Sequence, residues 1–237
     1  MSHRLTKLAL AAAAAACVAG GSANASTVNY STTDAPVTNL DSLTGYMTSG
    51  ADMSGLTVMA TFSGGLTQSL AWATTGASSG GVTGTGWGLS LNGDSYGGNW
   101  NFTFDPQYSL GQLTKLVLDG HTGLTVLDRT EPSPGTPDSA SGLDFSFAGG
   151  TCGSCVADAI YSGVTSIGGA VAVGDLWQIL TVNFLDRTGP DADWAFHQDT
   201  DNDGRYVPGV PEPETYALIL GGLGLVGWMG KRRRRSA

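Results

Sequence analysis

The central part of this sequence has very few basic residues and almost no glutamate. Residues 26–209 contain 17 aspartates and the single Glu131, against four basic residues: Lys115, Arg129, Arg187 and Arg205. The net charge of this segment is therefore −14 with histidines neutral. A field of that sign repels polyanions, which excludes nucleic acid as a partner and is compatible with cations or uncharged polysaccharide.

The same segment lacks an amphipathic helical stripe of useful length. Aspartate favours turns where glutamate favours helices, and the chain holds 36 glycines. Period-2 alternation of apolar residues, typical of half-buried strands, marks residues 56–62, 99–104 and 143–147, and a longer apolar run covers 177–185. Weaker strand candidates are 68–73, 87–91, 113–118 and 124–127, and turn-rich breaks lie between them, including 76–86.

Short strands separated by glycine-rich turns predict an all-β fold, an antiparallel β-sandwich that is jelly-roll-like. The segment 26–209 is long enough for one domain with a real core. Residues 129–142 have no apolar period and form either a long surface loop or a boundary between two smaller halves. One domain is the better interpretation, because each half alone would have a thin core.

The N-terminal 25 residues have the pattern of a secretory signal peptide. Basic residues precede an alanine-rich apolar run of 11 residues, and Ala23-Asn24-Ala25 is a small-x-small cleavage site. We expect export through the Sec translocon and cleavage by signal peptidase between Ala25 and Ser26. The run is too short for a membrane-spanning helix, which needs about 20 residues. A lipoprotein signal through Cys17 is the alternative.

The C-terminal 28 residues, 210–237, divide into three parts. Pro211-Glu212-Pro213 cannot join a helix or a central strand and is expected to stay extended. The apolar stretch that follows begins at Tyr216 and ends at Gly230, and a single hydrophobic helix there would span about 22 Å. This is shorter than the ~30 Å hydrocarbon core of a bilayer. The basic residues 231–235 would stay cytoplasmic.

This order of tripeptide, short apolar span and arginine cluster resembles the PEP-CTERM sorting signal of Gram-negative bacteria that make exopolysaccharide. The resemblance implies recognition by an exosortase, a membrane cysteine transpeptidase-like enzyme, and cleavage near Pro211-Glu212-Pro213. It implies transient anchoring in the inner membrane and then release toward the cell surface or extracellular matrix. The alternative is an ordinary single-pass anchor.

The segment Asp199-Thr200-Asp201-Asn202-Asp203-Gly204 resembles the first half of a calcium-binding loop. Alternate carboxylates from Asp199, Asp201 and Asp203 can converge on a hard cation, and the sixth-position glycine permits a sharp turn. The twelfth position of an EF-hand, normally glutamate, is Val210, which excludes a full EF-hand. The remaining interpretations are a smaller calcium turn and an acidic, solvated linker.

Cys152 and Cys155 are the two cysteines that remain after signal cleavage. In an oxidising compartment an even number of cysteines favours a disulfide, here a tight clip at a loop. A redox-active C-x-x-C site needs a helix N-terminus after the strand, which the flanking sequence does not predict.

Gly93-Asp94-Ser95-Tyr96-Gly97 matches the G-x-S-x-G motif of hydrolases. That motif requires a strand-to-helix turn, whereas another strand is predicted directly after it, so we interpret Ser95 as a hairpin residue. No carboxylate pair stands out for a glycosidase. The sequence therefore predicts no catalytic residues.

Two of the tryptophans are candidates for a sugar-binding surface. Aromatic faces beside Asp and Asn can stack on sugar rings, and Trp87 and Trp194 are the candidates, whereas alternation predicts core positions for Trp100 and Trp177. The leading functional hypothesis is a non-enzymatic surface or matrix protein of the exopolysaccharide layer. The alternatives are a carbohydrate-binding β-sandwich module and an extracellular hydrolase of polysaccharide or ester substrates.

Overall fold

Every regular element in the described part of the chain is a β-strand. The computed structural model describes residues 26–33, 43–44, 48–130, 141–149, 152–163, 176–186 and 188–203. In chain order the strands are β1 (Thr27–Thr32), β2 (Leu43–Thr44), β3 (Thr57–Phe62), β4 (Thr67–Ala71), β5 (Ala73–Thr74), β6 (Ser79–Thr83), β7 (Trp87–Asn92), β8 (Trp100–Phe104), β9 (Leu113–Asp119), β10 (Thr125–Asp128), β11 (Ser146–Phe147), β12 (Val156–Ser162), β13 (Leu176–Trp177), β14 (Ile179–Phe184), β15 (Trp194–His197) and β16 (Asp199–Asp203).

The strands form three sheets. Sheet I has the order β1-β12-β14-β9-β3-β4, and sheet II has the order β11-β15-β8-β7-β6-β5. Sheet III is smaller, with the order β13-β10-β16-β2. In sheet II the strands β5 to β8 follow one another as a meander, which short glycine-containing turns make possible. Between the described strands every pairing is antiparallel except that of β1 with β12, which is parallel.

Sheets I and II pack face to face through large aromatic side chains. Phe62 of β3 contacts Trp87 of β7, with ring centroids 6.1 Å apart. Phe184 of β14 contacts Trp194 of β15 edge-on, at 5.5 Å. The strands supply these side chains by alternation: in β3, for example, Val58, Ala60 and Phe62 are buried and the residues between them face outward. Residues of both sheets, with Leu127 and Trp177 of sheet III, belong to one hydrophobic core.

The all-β prediction is confirmed, and the two packed sheets are those of a β-sandwich. The alternating segments 56–62 and 99–104 became β3 and β8, and the apolar run at 177–185 became β14, a central strand of sheet I. Antiparallel pairing was predicted throughout, and the parallel β1–β12 pair is the exception.

Several strands differ from the sequence-based prediction. β6 lies within the predicted break 76–86, and of the predicted strand 143–147 only Ser146–Phe147 is strand. β1, β12 and β15 were not predicted, and β16 occupies the segment interpreted as a calcium turn or a solvated linker. The missed strands have weak apolar alternation, because β6, β12 and β16 are rich in Gly, Ala or Asp, β15 is short, and β1 is mostly polar. In 143–147 the alternation is present, but the backbone of Leu143 bonds to those of Asp128 and Asp199, and the Phe145 amide donates to the Tyr161 hydroxyl, so no regular ladder forms there.

The predicted signal peptide at 1–25, the tail at 210–237 and most of the loop at 129–142 lie outside the described residues. Within the described ranges there is no helix with the length and apolar character needed to cross a bilayer.

Candidate functional site

Three buried aspartates lie together in sheet III. β10 and β16 pair antiparallel and place Asp128 directly opposite Asp199, and Asp201 lies on the same face of β16 because side chains alternate along a strand. One carboxylate oxygen from each aspartate lies within 4.8 Å of the others. The exposed fractions of Asp128, Asp199 and Asp201 are 0%, 4% and 1%.

The strand that carries two of these aspartates has an unusual composition. Asp and Asn are disfavoured in strands, yet β16 reads D-T-D-N-D. It is held by backbone pairing on both sides, with β10 on one edge and β2 on the other. Pairing with β10 and β2 therefore outweighs the low strand propensity of these residues, and the side chains of Asp199 and Asp201 are kept out of water.

Ser95 fixes the carboxylate of Asp199. The Ser95 hydroxyl donates to Asp199 Oδ1 at 2.7 Å, and the Thr200 amide donates to the same oxygen at 2.8 Å. Ser95 is fully buried and its own amide donates to the Thr48 carbonyl oxygen. The serine of the G-x-S-x-G match thus has a structural role beside an aspartate, and its hydrogen-bond partners Thr48, Asp199 and Thr200 include no histidine.

Burial raises the pKa of Asp199 to about 7. The hydrogen bonds from Ser95 and from the Thr200 amide favour the charged form and oppose this shift, while the charge of Asp94 adds to it. At neutral pH Asp199 is therefore close to half protonated when no cation is near.

The side chain of Gln198 connects this cluster to the core. Its amide nitrogen donates to the carbonyl oxygens of Asp128 and Asp199, at 3.2 and 2.7 Å. Its amide oxygen accepts a hydrogen bond of 2.6 Å from the Tyr161 hydroxyl, and its backbone carbonyl accepts one from Trp100 Nε1 at 2.9 Å. These bonds hold the backbones of β10 and β16 in place, so the spacing of the carboxylates is fixed by the fold.

The cluster has the dimensions of a site for one hard cation. Calcium takes oxygen ligands at about 2.3–2.6 Å, so two ligands of the same ion are at most about 5 Å apart. The oxygens of Asp128, Asp199 and Asp201 satisfy that limit. Three carboxylates buried this close repel one another unless a cation or shared protons offset their charge.

Two of the three aspartates in this cluster were predicted from the sequence. Asp199 and Asp201 were predicted as ligands, whereas Asp128 was missed, because only the register of β10 against β16 brings it to the site. The predicted turn is wrong, since residues 199–203 form a strand, and so is the solvated linker, since Asp199 to Asn202 are buried. The side chain of Asp203, the third predicted ligand, lies outside the described residues; its backbone pairs with Leu43.

Both tryptophans proposed to bind sugar are core residues. Trp87 is 3% exposed, stacks on Phe102 with ring centroids 5.4 Å apart, and donates from Nε1 to Gln68 Oε1. Trp194 is 2% exposed and contacts the rings of Phe184 and Phe196. This corrects the sugar-binding prediction for Trp87 and Trp194, because their ring faces are covered by other side chains.

Cys152 and Cys155 are disulfide-bonded in the turn that precedes β12, with Cα atoms 5.4 Å apart. Both are buried, at 8% and 2% exposure. The carbonyl oxygen of Cys155 accepts a hydrogen bond from the Thr27 amide, so this turn also positions the start of β1.

Comparison with known families decides the nature of the C-terminal tail. The model of the PEP-CTERM protein-sorting motif matches residues 209–235. The chain carries a PEP-CTERM sorting motif. Such a motif implies an exported protein that is processed by an exosortase and whose C-terminus is anchored in the membrane before processing. Comparisons with curated proteins and with solved structures gave no match.

Proposed function

We propose that this PEP-CTERM protein is a non-enzymatic structural or matrix-associated protein of the exopolysaccharide layer. The observation that carries the proposal is the sorting motif at 209–235, joined to an exported β-sandwich of net charge −14. The burial of Ser95, the serine of the G-x-S-x-G match, supports a non-enzymatic role.

Replacing Pro211, Glu212 and Pro213 together by alanine tests the sorting step. We expect the wild-type protein in the released and matrix fractions and the variant in the membrane fraction, since the exosortase would no longer recognise it. Thr215→Ala, just beyond the tripeptide, is the matched control and should behave as wild type. Equal release of all three proteins, measured by immunoblotting of cell fractions, would contradict the proposal.

We further propose that Asp128, Asp199 and Asp201 bind one calcium ion that stabilises the domain. The proposal is supported by the burial of all three carboxylates and by their spacing, which matches ligands of a single ion. Ions that bind only the folded state stabilise it by about 2.7 kcal/mol at a 100-fold excess over Kd. For a domain of this size, that corresponds to a rise in Tm of roughly 5–10 °C.

Thermal unfolding in chelator and in millimolar Ca²⁺ tests this site. We expect Ca²⁺ to raise the Tm of the wild type and of Asp191→Asn, which alters an exposed aspartate outside the cluster. Asp201→Asn should lose most of the rise, because it removes one carboxylate from the site. The same Tm in chelator and in Ca²⁺ for the wild type would remove calcium from the proposal.

A carbohydrate-binding module is the second candidate, and one exposed aromatic favours it. Tyr108 is 47% exposed and lines a surface depression together with Thr103 and Asp105. Its ring lies against Gly86, where an added Cβ would meet the ring atoms. An exposed ring beside hydroxyl and carboxylate groups suits stacking on a sugar. Glycan-array binding that is lost in Tyr108→Ala and kept in Tyr96→Ala is the expected result; no binding to any glycan would eliminate this candidate.

A further inference from the structure

β1 lies at the edge of sheet I and is attached to it with little side-chain burial. Among the strands that the structure describes, it pairs with β12 only, from Thr27 opposite Val156 to Thr32 opposite Tyr161. Five of its six side chains are exposed, and Val28 alone is partly buried. Because so little apolar surface is covered, removing β1 from the sheet costs little hydrophobic free energy.

Backbone hydrogen bonds and a few polar contacts set the position of β1. The amide of Thr33 donates to the Tyr161 carbonyl oxygen at 3.2 Å. Asn29 Nδ2 donates to Asp158 Oδ1 at 2.9 Å, which fixes the register between the two strands. These contacts require only a correctly aligned strand, whichever copy of the chain supplies it.

Tyr30 is the specific anchor of the strand. Its hydroxyl donates to the Phe145 carbonyl oxygen at 2.8 Å, and the Arg129 guanidinium lies 5.6 Å from its ring centroid. The same guanidinium lies 4.5 Å from the Tyr161 ring centroid, so Arg129 makes a cation–π contact with both rings. A receiving site for Tyr30 is therefore built from β12 and its neighbours and does not depend on the rest of β1.

The strand that β1 covers is well suited to pair with another chain. β12 reads V-A-D-A-I-Y-S, contains no proline and has one charged residue, Asp158. Its buried side chains, Ala157, Ala159 and Tyr161, anchor it to the core, and β14 pairs with its other edge. An ordered, unblunted edge of this kind is a template for strand addition.

The place of β1 in the chain leaves it free at one end. Once the predicted signal peptide is removed after Ala25, only Ser26 precedes β1. The strand can then leave the sheet without pulling any preceding chain through the fold. Residues 33–42 separate it from β2 at Leu43, and ten residues reach at most about 36 Å when extended.

We propose that β1 of one copy pairs with β12 of a second copy, so that the processed protein assembles through strand exchange. The exchanged pair has the same contacts as the pair within one chain, so the balance depends mainly on concentration. A tether of only ten residues gives β1 an effective concentration in the millimolar range at its own sheet, which keeps dilute copies closed. Exchange is favoured where copies are crowded, as they are when anchored side by side in a membrane. The proposal depends on removal of the signal peptide and not on the fate of the tail.

Two singly substituted chains with different tags test the exchange. One carries Asn29→Cys and the other Asp158→Cys; these positions are Cα partners in the β1–β12 pair and can form a disulfide. They are unfolded together, refolded as a mixture at about 1 mM and oxidised. We expect a disulfide-linked heterodimer, with the linked peptides identified by mass spectrometry. The control mixture, Asn29→Cys with Ser162→Cys, is four residues out of register and should give at least tenfold less.

A third variant makes a negative result meaningful. The chain with both Asn29→Cys and Asp158→Cys should form the disulfide within one copy when dilute, which shows that the two thiols meet in the folded pair. If that bond forms while the mixtures give no heterodimer, or give equal amounts in and out of register, the proposal is overturned. Tyr30→Ala in the Asn29→Cys chain should lower the heterodimer yield severalfold, because it removes the anchor. N-terminal sequencing checks that Ser26 begins the purified chain.

Discussion

Among single residues, Asp199 has the environment that most strongly affects its ionisation. Its pKa is about 7 in the folded chain and near 3.8 when exposed. Below pH ~4 Asp199 is protonated in both the folded and the unfolded state, and above pH ~8 it is ionised in both. Between these limits the folded state alone keeps the proton, so its stability falls as the pH rises. The loss through this residue is at most about 4 kcal/mol, and it is complete just above pH 7.

Asp199→Asn is expected to remove most of this pH dependence. The amide oxygen can still accept from Ser95 and from the Thr200 amide, but no charge is buried at alkaline pH. In chelator, urea unfolding near pH 3.5 should give similar stabilities for the variant and the wild type, because Asp199 is then protonated in both the folded and the unfolded state. The variant should be more stable than the wild type by about 1.5 kcal/mol at pH 5 and by about 4 kcal/mol at pH 8. Asp191→Asn should follow the wild type. An unchanged pH slope in Asp199→Asn would show that the carboxylate is not held in a protonated state.

At the scale of elements, β6 shows why glycine is needed inside a strand. Gly80 faces the core, and an added Cβ there would meet the Gly50 carbonyl oxygen and Trp72 Nε1. Those two atoms form a hydrogen bond of 2.7 Å with each other. A side chain at Gly80 must therefore push β6 away or break that bond.

Gly80→Ala is expected to destabilise the protein by about 2 kcal/mol or more, as overpacking in a core does. Gly97→Ala is the matched control, because no atom lies within 4 Å of an added Cβ and its φ is not positive. It should change the free energy of unfolding by roughly 0.5 kcal/mol or less. Chemical unfolding of both variants measures the difference. Similar values for the two would mean that β6 does not need the close approach to Gly50.

A comparison of β6 with other strands shows which parts of the fold could be predicted from the sequence. β3 and β8 combine β-branched or aromatic residues with strict alternation, so their local pattern is enough. β6 has two glycines among its five residues, and β16 has four Asp or Asn residues among its five. Both are strands because their neighbours pair with them. The same holds for the candidate site. The alternate carboxylates in the sequence predicted Asp199 and Asp201 as ligands, whereas Asp128 is found only from the register of β10 against β16.

At the scale of the whole molecule, the charge of the exported segment should make its stability depend on salt. Residues 26–209 have a net charge of −14, and the repulsion between these negative charges destabilises the compact folded state. The screening length falls from about 30 Å at 0.01 M salt to about 8 Å at 0.15 M. With chelator present throughout, we expect Tm to rise by a few degrees over this range of NaCl. An uncharged osmolyte at equal osmolality should reproduce little of the rise, and a Tm that falls with NaCl would contradict the interpretation.

The end of β16 has a mechanical consequence for the anchored protein. Seven residues, 204–210, lie between Asp203 and Pro211, so the domain can stand at most about 25 Å from the tripeptide. Any pull through the tail enters the fold along β16, a strand paired on both sides. Antiparallel hydrogen bonds lie perpendicular to the strand, so a pull along β16 loads them together rather than one after another. The tail is thus attached at a point that resists extraction under shear until the tail is cut.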